Sequence, residues 1–239
     1  MSDTVKILCI IPAYNEEATI APVIKGVLAH GYDVVVVNDA SQDATVSVAR
    51  GAGATVIEMP MNLGYAAAIQ TGYTYAVDEG YDYVIQLDGD GQHDPEDASA
   101  LLAPVMNDEA DLVVASRYLS DSSYETGTFR RLGQHVFGFI AQALTGLKVT
   151  DPTSGYQAMT MEIVKLYTTG FFPDDYPDVD LIIALHRMGF RIREIGVRMH
   201  SDNGVSMHSG IWNAVYYIYK MTLAIFVSAT CKLPERSAR

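Results

Sequence analysis

Short apolar segments alternate with helix-like segments throughout the first half of the chain. The segments Val5–Ile11, Val34–Val37, Ala54–Glu58, Tyr83–Leu87 and Leu112–Ser116 have the length and composition of strands buried on both faces. Apolar residues recur with helical spacing between them, over Glu16–Ala29, Asp43–Arg50, Leu63–Val77 and Pro95–Met106. Because this alternation is typical of parallel βαβ units, the sequence predicts an α/β fold with a mostly parallel, Rossmann-like central sheet and helices on both faces.

The pattern becomes less regular after Arg117. The sequence there predicts a polar loop (Ser120–Gly127), helices (Phe129–Thr145, Met161–Thr168 and Val179–Met188), a turn-rich segment (Asp151–Tyr156), a half-exposed strand (Phe190–Val197) and a second polar loop (Ser201–Gly210). We therefore expect one domain over residues 1–210 and an appendage over residues 211–239.

The appendage is dominated by the apolar and aromatic segment Ile211–Thr230. Its length is about that of a membrane span, but Asn213, the central charge of Lys220 and a cluster of aromatic residues favour other placements. Three stay open: a helix lying on a membrane surface, a helix in an oligomer interface, and an ordinary core helix. The tail Lys232–Arg239 carries net positive charge, which favours the surface of an anionic membrane.

The charge balance limits the partners of this chain. The formal net charge is −13, and the acidic excess lies in the first half. Nucleic acid is not an expected partner, because its recognition needs a basic face. The more basic second half suits an anionic substrate or membrane surface. The two cysteines, Cys9 and Cys231, lack metal-ligand spacing and no signal peptide is visible, so we expect a cytoplasmic location without disulfides.

The segment Asp88-Gly89-Asp90 directly follows the fourth predicted strand. Two carboxylates at this spacing can turn toward one ion, and hard cations such as Mg²⁺ and Mn²⁺ favour oxygen ligands while leaving positions open for substrate phosphates. The alternative is an acidic β–α turn in which an aspartate caps the next helix. The segments after the other strands, Pro12-Ala13-Tyr14, Asn38-Asp39 and Met61-Asn62, are expected at the same edge of the sheet, where ligands of such folds bind.

Other motifs for nucleotide binding or hydrolysis are absent from the sequence. It contains no P-loop, no Gly-x-Ser-x-Gly, no His-Glu-x-x-His and no Cys-x-x-Cys. Gly51-Ala52-Gly53 follows a helix rather than a strand, which excludes a dinucleotide-binding fingerprint.

Read in order, the segments Ile10–Glu17, Val37–Thr45, Asn62–Ala68 and Asp88–His93 resemble the family 2 inverting glycosyltransferases, which have the GT-A fold. Further along, Ser116-Arg117, Arg130-Arg131 and Asp151–Tyr156 resemble the branch that contains dolichol-phosphate mannosyltransferase. Members of this branch transfer one sugar from a nucleotide-sugar to a polyprenyl phosphate. The resemblance covers nearly all of residues 5–210.

The resemblance implies roles on the donor side. Asp90 and Gln92 would ligate Mg²⁺ or Mn²⁺ together with the diphosphate, and Asp88 would contact the ribose or the metal shell. The remaining candidates would bind the nucleotide-sugar. Those expected around the base and ribose are Pro12, Ala13, Tyr14, Glu16 and Asp39, and those expected to add backbone contacts are Asn62, Gly64 and Gly89. His93 is expected beside the metal rather than on it.

The resemblance also implies roles on the acceptor side. Arg117 and Arg131 would hold the acceptor phosphate, because a guanidinium pairs two phosphate oxygens, and Arg130 competes with Arg131 for this role. Either could instead form a surface salt bridge. The turn around Thr153, Ser154 and Gly155 would shape the acceptor loop. Asp180, preferred over Asp178, would act as a base for a hydroxyl acceptor, whereas a phosphate acceptor needs none and Asp180 would then cap a helix or orient a positive group.

Two departures from the branch affect the interpretation. The loop before Gly204-Val205-Ser206 lacks the usual basic residue, and no pair of transmembrane helices follows residue 210. A lipid acceptor would then require the Ile211–Thr230 helix or a partner protein to reach the bilayer, at its cytoplasmic face. The competing hypotheses are transfer to the hydroxyl of a glycan or glycolipid, and a non-catalytic nucleotide-sugar-binding scaffold. A homo-oligomer is a further possibility.

Overall fold

The computed structural model describes residues 5–119, 149–173 and 179–199, with Leu223, Val227, Ser228, Thr230, Leu233, Pro234 and Arg236. The strands are β1 (Ile7–Ala13), β2 (Asp33–Asn38), β3 (Thr55–Glu58), β4 (Tyr83–Gln86), β5 (Leu112–Ser116), β6 (Gln157–Thr160) and β7 (Ile192–Gly196). The helices are α1 (Ile20–Ala29), α2 (Thr45–Gly51), α3 (Tyr65–Asp78), α4 (Ala98–Met106, preceded by a 3₁₀ turn at Pro95–Asp97), α5 (Met161–Tyr167) and α6 (Val179–Arg187).

These strands form a seven-stranded sheet in the order β3-β2-β1-β4-β6-β5-β7. All neighbouring pairs are parallel except those of β6, which runs antiparallel to both β4 and β5. The predicted α/β fold with a mostly parallel sheet is confirmed. Strand β6 was not predicted, because four residues reading Gln-Ala-Met-Thr carry little strand signal and its pairing partners lie far away in the sequence.

Strand β1 runs through Pro12 to Ala13, so the prediction that Pro12 ends it was wrong. The carbonyl of Ile10 accepts a hydrogen bond from Leu87 on the β4 side, and the carbonyl of Ala13 accepts one from Asp39 on the β2 side. Because backbone groups alternate along a strand, Pro12 faces the β4 side, and the ladder with β4 has ended by Ile10. A proline is tolerated where no ladder hydrogen bond requires its missing N–H.

Helices α1, α2 and α3 begin later than predicted. They start at Ile20, Thr45 and Tyr65, rather than at Glu16, Asp43 and Leu63. The residues between form loops at the edge of the sheet, where Gly64 takes a left-handed φ of 91°. The helical periodicity of the sequence therefore placed the start of each helix too early, among residues of the candidate site.

Two apolar layers cover the two faces of the sheet, as the continuous apolar strands predicted. Leu8 and Ile10 of β1 pack with α3, α5 and α6, whereas Cys9 and Ile11 pack with α1 and α4 on the opposite face. Burial raises the pKa of the Cys9 thiol, so it remains an inert apolar side chain. Cys231 lies outside the described residues.

Arg236, close to the end of the chain, is bound to the domain. Its guanidinium donates to both oxygens of Glu162 at 2.8 Å and to the carbonyl of Gly189 at 2.9 Å, and it stacks over Phe190. It also lies 3.3 Å from the carboxylate of Asp111, which is fully buried. The positive charge of this tail residue is therefore paired with acids of the domain, which the sequence did not predict.

Most of the predicted Ile211–Thr230 helix, including Lys220, lies outside the described residues, as do the segments 120–127, 129–145 and 201–210. Leu223, Val227, Ser228 and Thr230 are helical, and the side chains of Leu223 and Val227 are exposed. In the portion of the chain that the structure describes, no helix combines the length and apolar character required to span a bilayer.

We expect Arg236→Ala to lower the free energy of unfolding by about 1–3 kcal/mol, because it removes charge-assisted hydrogen bonds from Glu162 and the buried Asp111. Asp111 keeps Arg191 as a partner, which limits the loss. The matched control is Arg193→Ala, whose pair with Glu109 is exposed and should cost less than about 1 kcal/mol. Urea unfolding of both variants measures the difference, and equal losses would contradict it.

Candidate functional site

The loops after β1 and β2 are joined to each other by reciprocal hydrogen bonds. The N–H of Asn15 donates to Ser41 Oγ at 2.9 Å, and Asn15 Oδ1 accepts from the N–H of Gln42 at 2.8 Å. The N–H of Glu16 donates to the buried Thr45 Oγ1 at 2.8 Å. These polar residues therefore satisfy backbone groups of the neighbouring loop, which fixes the shape of the edge where a nucleotide would enter.

Asp39 connects this edge to the start of α3. Its N–H donates to the carbonyl of Ala13, and its two carboxylate oxygens accept from the N–H groups of Leu63 and Gly64 at 2.8 and 2.9 Å. A carboxylate at this position satisfies free N–H groups before the helix and complements its dipole. The side chain is buried, so Asp39 has a structural role. Its role at the base and ribose stays a prediction.

Several predicted donor-side residues lie on the surface of the same edge. Tyr14 is 46% exposed, whereas Pro12 and Ala13 are buried in β1. Asn62 is exposed between two apolar side chains, Met61 and Leu63, which are 60% and 53% exposed. Met61 was predicted at this edge from the sequence, but neither Met61 nor Leu63 was given a role there.

Asp88 is half-buried directly after β4, with its carboxylate held in place. Its Oδ1 accepts from the hydroxyl of Tyr65 at 2.7 Å, and the backbone of Gly155 lies against its Oδ2. The pKa of Asp88 is raised to about 6, first by burial and then by the negative charges of Asp90 and Glu16. The hydrogen bond from Tyr65 and the positive charge of Arg117 act in the opposite direction.

Asp90 lies two residues further along a tight turn. Its Oδ1 accepts from the N–H of Gln92 at 2.9 Å, and Gly91 has the left-handed φ of 74° that the turn requires. Burial and the charge of Asp90 raise the pKa of Glu16. Three carboxylates therefore lie within electrostatic reach of one another at one edge of the sheet.

The residues of this turn fit a hard divalent cation. Asp88, Asp90 and Gln92 offer oxygen donors, and a cation would offset the repulsion that raises the pKa of Asp88. Within the described ranges, no group of three or more histidine, cysteine, aspartate or glutamate residues is placed to hold an ion by itself. A site built from these residues would need further oxygen ligands, such as those of a diphosphate.

His93 is buried beside the same turn. Its ring packs on Tyr156, with ring centroids 5.2 Å apart, and burial lowers its pKa to about 4, so the ring is neutral. The backbone of His93 pairs with Met199, and the neighbouring N–H of Arg198 donates to Asp97. Arg198 and Met199 therefore lie beside the Asp88–His93 turn.

Arg117 forms a buried ion pair at the carboxyl end of β5. Its Nε and Nη2 donate to the two oxygens of Asp151 at 2.5 Å, and Nη2 also donates to Thr153 Oγ1 at 3.1 Å. Arg117 is 5% exposed and Asp151 is fully buried. Arg117 therefore forms a salt bridge, as the alternative predicted, but in the interior rather than on the surface. Phosphate binding by Arg117 stays a prediction.

Glu194 of β7 holds the turn that follows this ion pair. Its carboxylate accepts from the N–H groups of Thr150 and Asp151 at 2.8 Å, and burial raises its pKa. Glu194 was not predicted from the sequence, where its only signal was its position in an alternating strand. The Asp151–Tyr156 turn is thus anchored from both β5 and β7.

Asp180 is buried in the first turn of α6. Its side chain is 8% exposed, and burial, followed by the charge of Asp180, raises the pKa of Tyr167 in the adjacent apolar layer. The described contacts of Asp88 involve Tyr65 and Gly155 instead. The other acceptor-side candidates, Arg130, Arg131 and Asp178, lie outside the described residues.

The sheet and the acidic turn at its carboxyl edge together define the class of a GT-A glycosyltransferase. Residues 8–167 match the glycosyl transferase family 2 domain. The chain belongs to this family and is a glycosyltransferase, which is evidence against the scaffold hypothesis.

Two relatives and one solved structure illustrate the similarity. UDP-N-acetylglucosamine–dolichyl-phosphate N-acetylglucosaminyltransferase of Methanococcus voltae is 30% identical over 67% of this chain and 71% of its own length. Polyprenol monophosphomannose synthase of Mycolicibacterium smegmatis is 30% identical over 87% and 82%. The fold matches that of glucosyl-3-phosphoglycerate synthase from Mycobacterium tuberculosis, crystallised with Mn²⁺ and UDP-glucose, with a TM-score of 0.69, 24% identity and coverage of 97% and 80%.

We expect Asp151→Ala to lower the free energy of unfolding by about 3–5 kcal/mol, because it leaves the guanidinium of Arg117 buried without its carboxylate. The control is Glu58→Ala, which removes the exposed pair with Arg50 and should cost less than about 1 kcal/mol. Chemical denaturation of both variants tests the difference. A small loss in Asp151→Ala would mean that Arg117 reaches solvent or another anion without cost.

Proposed function

We propose that this chain is a metal-dependent, inverting glycosyltransferase that moves one sugar from a UDP- or GDP-sugar to a polyprenyl phosphate. The observation that carries the donor half is the pair Asp88 and Asp90, held at the carboxyl edge of the sheet within electrostatic reach of Glu16. The names of the two relatives, both of which act on polyprenols or their phosphates, support the acceptor half.

On the donor side, Asp90 and Gln92 would hold Mg²⁺ or Mn²⁺, with Asp88 beside them. The bound cation would stabilise the negative charge that develops on the leaving diphosphate. The exposed side chains of Tyr14, Met61 and Leu63 offer apolar contacts to a nucleobase at the same edge. Asp39 and Glu16 supply the polar contacts expected at the ribose.

On the acceptor side, a phosphate oxygen would attack the anomeric carbon as the bond to the diphosphate breaks. The acceptor phosphate is already an anion at neutral pH, so the step requires no general base. The positive charge of Arg117 acts on Asp88 across this site, and Arg131 is the second proposed contact of the acceptor phosphate. The enzyme would work at the cytoplasmic face of a membrane, which Ile211–Thr230 would contact directly or through a partner; homo-oligomer formation stays part of the proposal.

We expect Asp90→Ala to reduce sugar transfer at least about 100-fold, because the charge on the leaving diphosphate loses its stabilisation. The assay supplies labelled UDP- and GDP-sugars, a short polyprenyl phosphate and Mn²⁺ or Mg²⁺, and counts label in the organic phase. EDTA should abolish the same signal. Glu96→Gln, at a largely exposed side chain close to the same turn, is the control and should keep wild-type activity. Transfer that survives both EDTA and Asp90→Ala would refute metal dependence.

We expect Asp180→Asn to keep transfer to a polyprenyl phosphate within about threefold of wild type, since an anionic acceptor needs no proton removed. The variant retains the size of this buried side chain, and thermal unfolding checks that the fold is intact. A loss of 100-fold or more in a folded protein would contradict this expectation, because it would make Asp180 part of the transfer step itself.

A further inference from the structure

We infer that Tyr65 and Gly155 are positioning residues for Asp88, and that through them the Asp151–Tyr156 turn sets the geometry of the metal–diphosphate site. This inference rests on the proposed function for the identity of that site. Neither residue was assigned a contact with Asp88 by the sequence motifs. The carboxylate of Asp88 is contacted by a chain of hydrogen bonds with only one possible direction and by the backbone of Gly155, beside which there is no space for a side chain.

The direction of the hydrogen bonds follows from the side chain of Gln86, the last residue of β4. The carbonyl of Gly155 can only accept, so Gln86 Nε2 faces it, at 3.0 Å. The same nitrogen donates to the hydroxyl of Tyr65 at 3.1 Å, and Gln86 Oε1 accepts from the hydroxyl of Tyr73. The single proton of the Tyr65 hydroxyl is then directed to Asp88 Oδ1, at 2.7 Å. Gln86 is buried, so water does not compete for its side-chain amide.

Gly155 lies against the carboxylate of Asp88, nearest to its other oxygen, Oδ2. A Cβ atom at this position would lie 2.4 Å from Asp88 Oδ2 and 2.7 Å from the Tyr65 hydroxyl. These distances are too short for any non-bonded contact, and Gly155 has no left-handed φ, so the glycine is required for space. Tyr65 and Gly155 therefore both hold the carboxylate of Asp88 in place.

The turn that carries Gly155 is anchored at its other end. The Arg117–Asp151 ion pair holds it to β5, and Glu194 of β7 accepts from the N–H groups of Thr150 and Asp151. A side chain added at Gly155 would therefore move Asp88 and Tyr65 more readily than it would move the turn. This contact joins the acceptor-side turn to the donor-side carboxylate.

The test compares Tyr65→Phe, Gly155→Ala and the double variant with wild type. Tyr75→Phe is the matched control, because Tyr75 lies on the same helix and its ring packs near Tyr81. Electron paramagnetic resonance of free Mn²⁺ measures Mn²⁺ affinity in the presence of UDP, and initial rates give kcat and KM for both substrates. Thermal unfolding reports on the fold.

We expect Tyr65→Phe to weaken Mn²⁺ binding and to lower kcat by about 10-fold each, in the range for residues that orient a metal-site carboxylate. The KM for the acceptor and the melting temperature should change little. Gly155→Ala should lower both quantities by about 100-fold, and the double variant should be no worse than Gly155→Ala, because both changes act on one carboxylate. Tyr75→Phe should match wild type.

Unchanged Mn²⁺ affinity and kcat in Tyr65→Phe would overturn the inference, as would effects of the two substitutions that multiply in the double variant. If Gly155→Ala does not fold, Tyr65→Phe decides alone. The Mn²⁺ measurement contains no acceptor, so it separates the two proposals: normal Mn²⁺–UDP binding in wild type without sugar transfer would refute the acceptor and leave the positioning role testable. A wild-type chain that binds no Mn²⁺ with either UDP or GDP would overturn both.

Discussion

Repulsion among the carboxylates at the edge of the sheet is the constraint on which the rest of the site depends. Burial and the negative charge of Asp90 raise the pKa of both Asp88 and Glu16, because the ends of β1 and β4 bring these acids together in a partly buried place. Such an arrangement costs stability without a cation. The two apolar layers of the sheet compensate for that cost, and backbone turns and hydrogen bonds hold the acids where a metal and a diphosphate would use their charge.

Residues from the second half of the chain pack against the acidic turn that the first half forms. Strand β6 enters between β4 and β5 in the antiparallel direction, and this places the preceding Asp151–Tyr156 turn beside Asp88. The Arg117–Asp151 pair is a buried, bidentate contact whose removal would leave an unpaired charge, so it fixes the turn firmly. The proposed site would thus take its donor side from the parallel βαβ units and its acceptor side from the irregular segment that follows them.

The loops of the site show why its residues were easier to recognise than to interpret. Asn15, Ser41 and Thr45 belong to segments that resemble the family, and in the structure they satisfy backbone groups of the adjacent loop. Asp39 likewise accepts from the N–H groups before α3. The sequence located these residues correctly at one edge of the sheet, but a residue's place in a motif does not distinguish a ligand contact from a loop contact.

The sequence by itself determined the alternating strands and helices, the parallel half of the sheet, and the position of Asp88 and Asp90 at the carboxyl edge. These follow from local patterns, since apolar periodicity and turn residues act within a few positions of one another. Tertiary structure alone decided the insertion of β6, the pairing of Arg117 with Asp151, and the contacts of Tyr65 and Gly155 with Asp88. Each joins residues more than twenty positions apart, and their directions depend on packing and on hydrogen-bond partners that no local pattern contains.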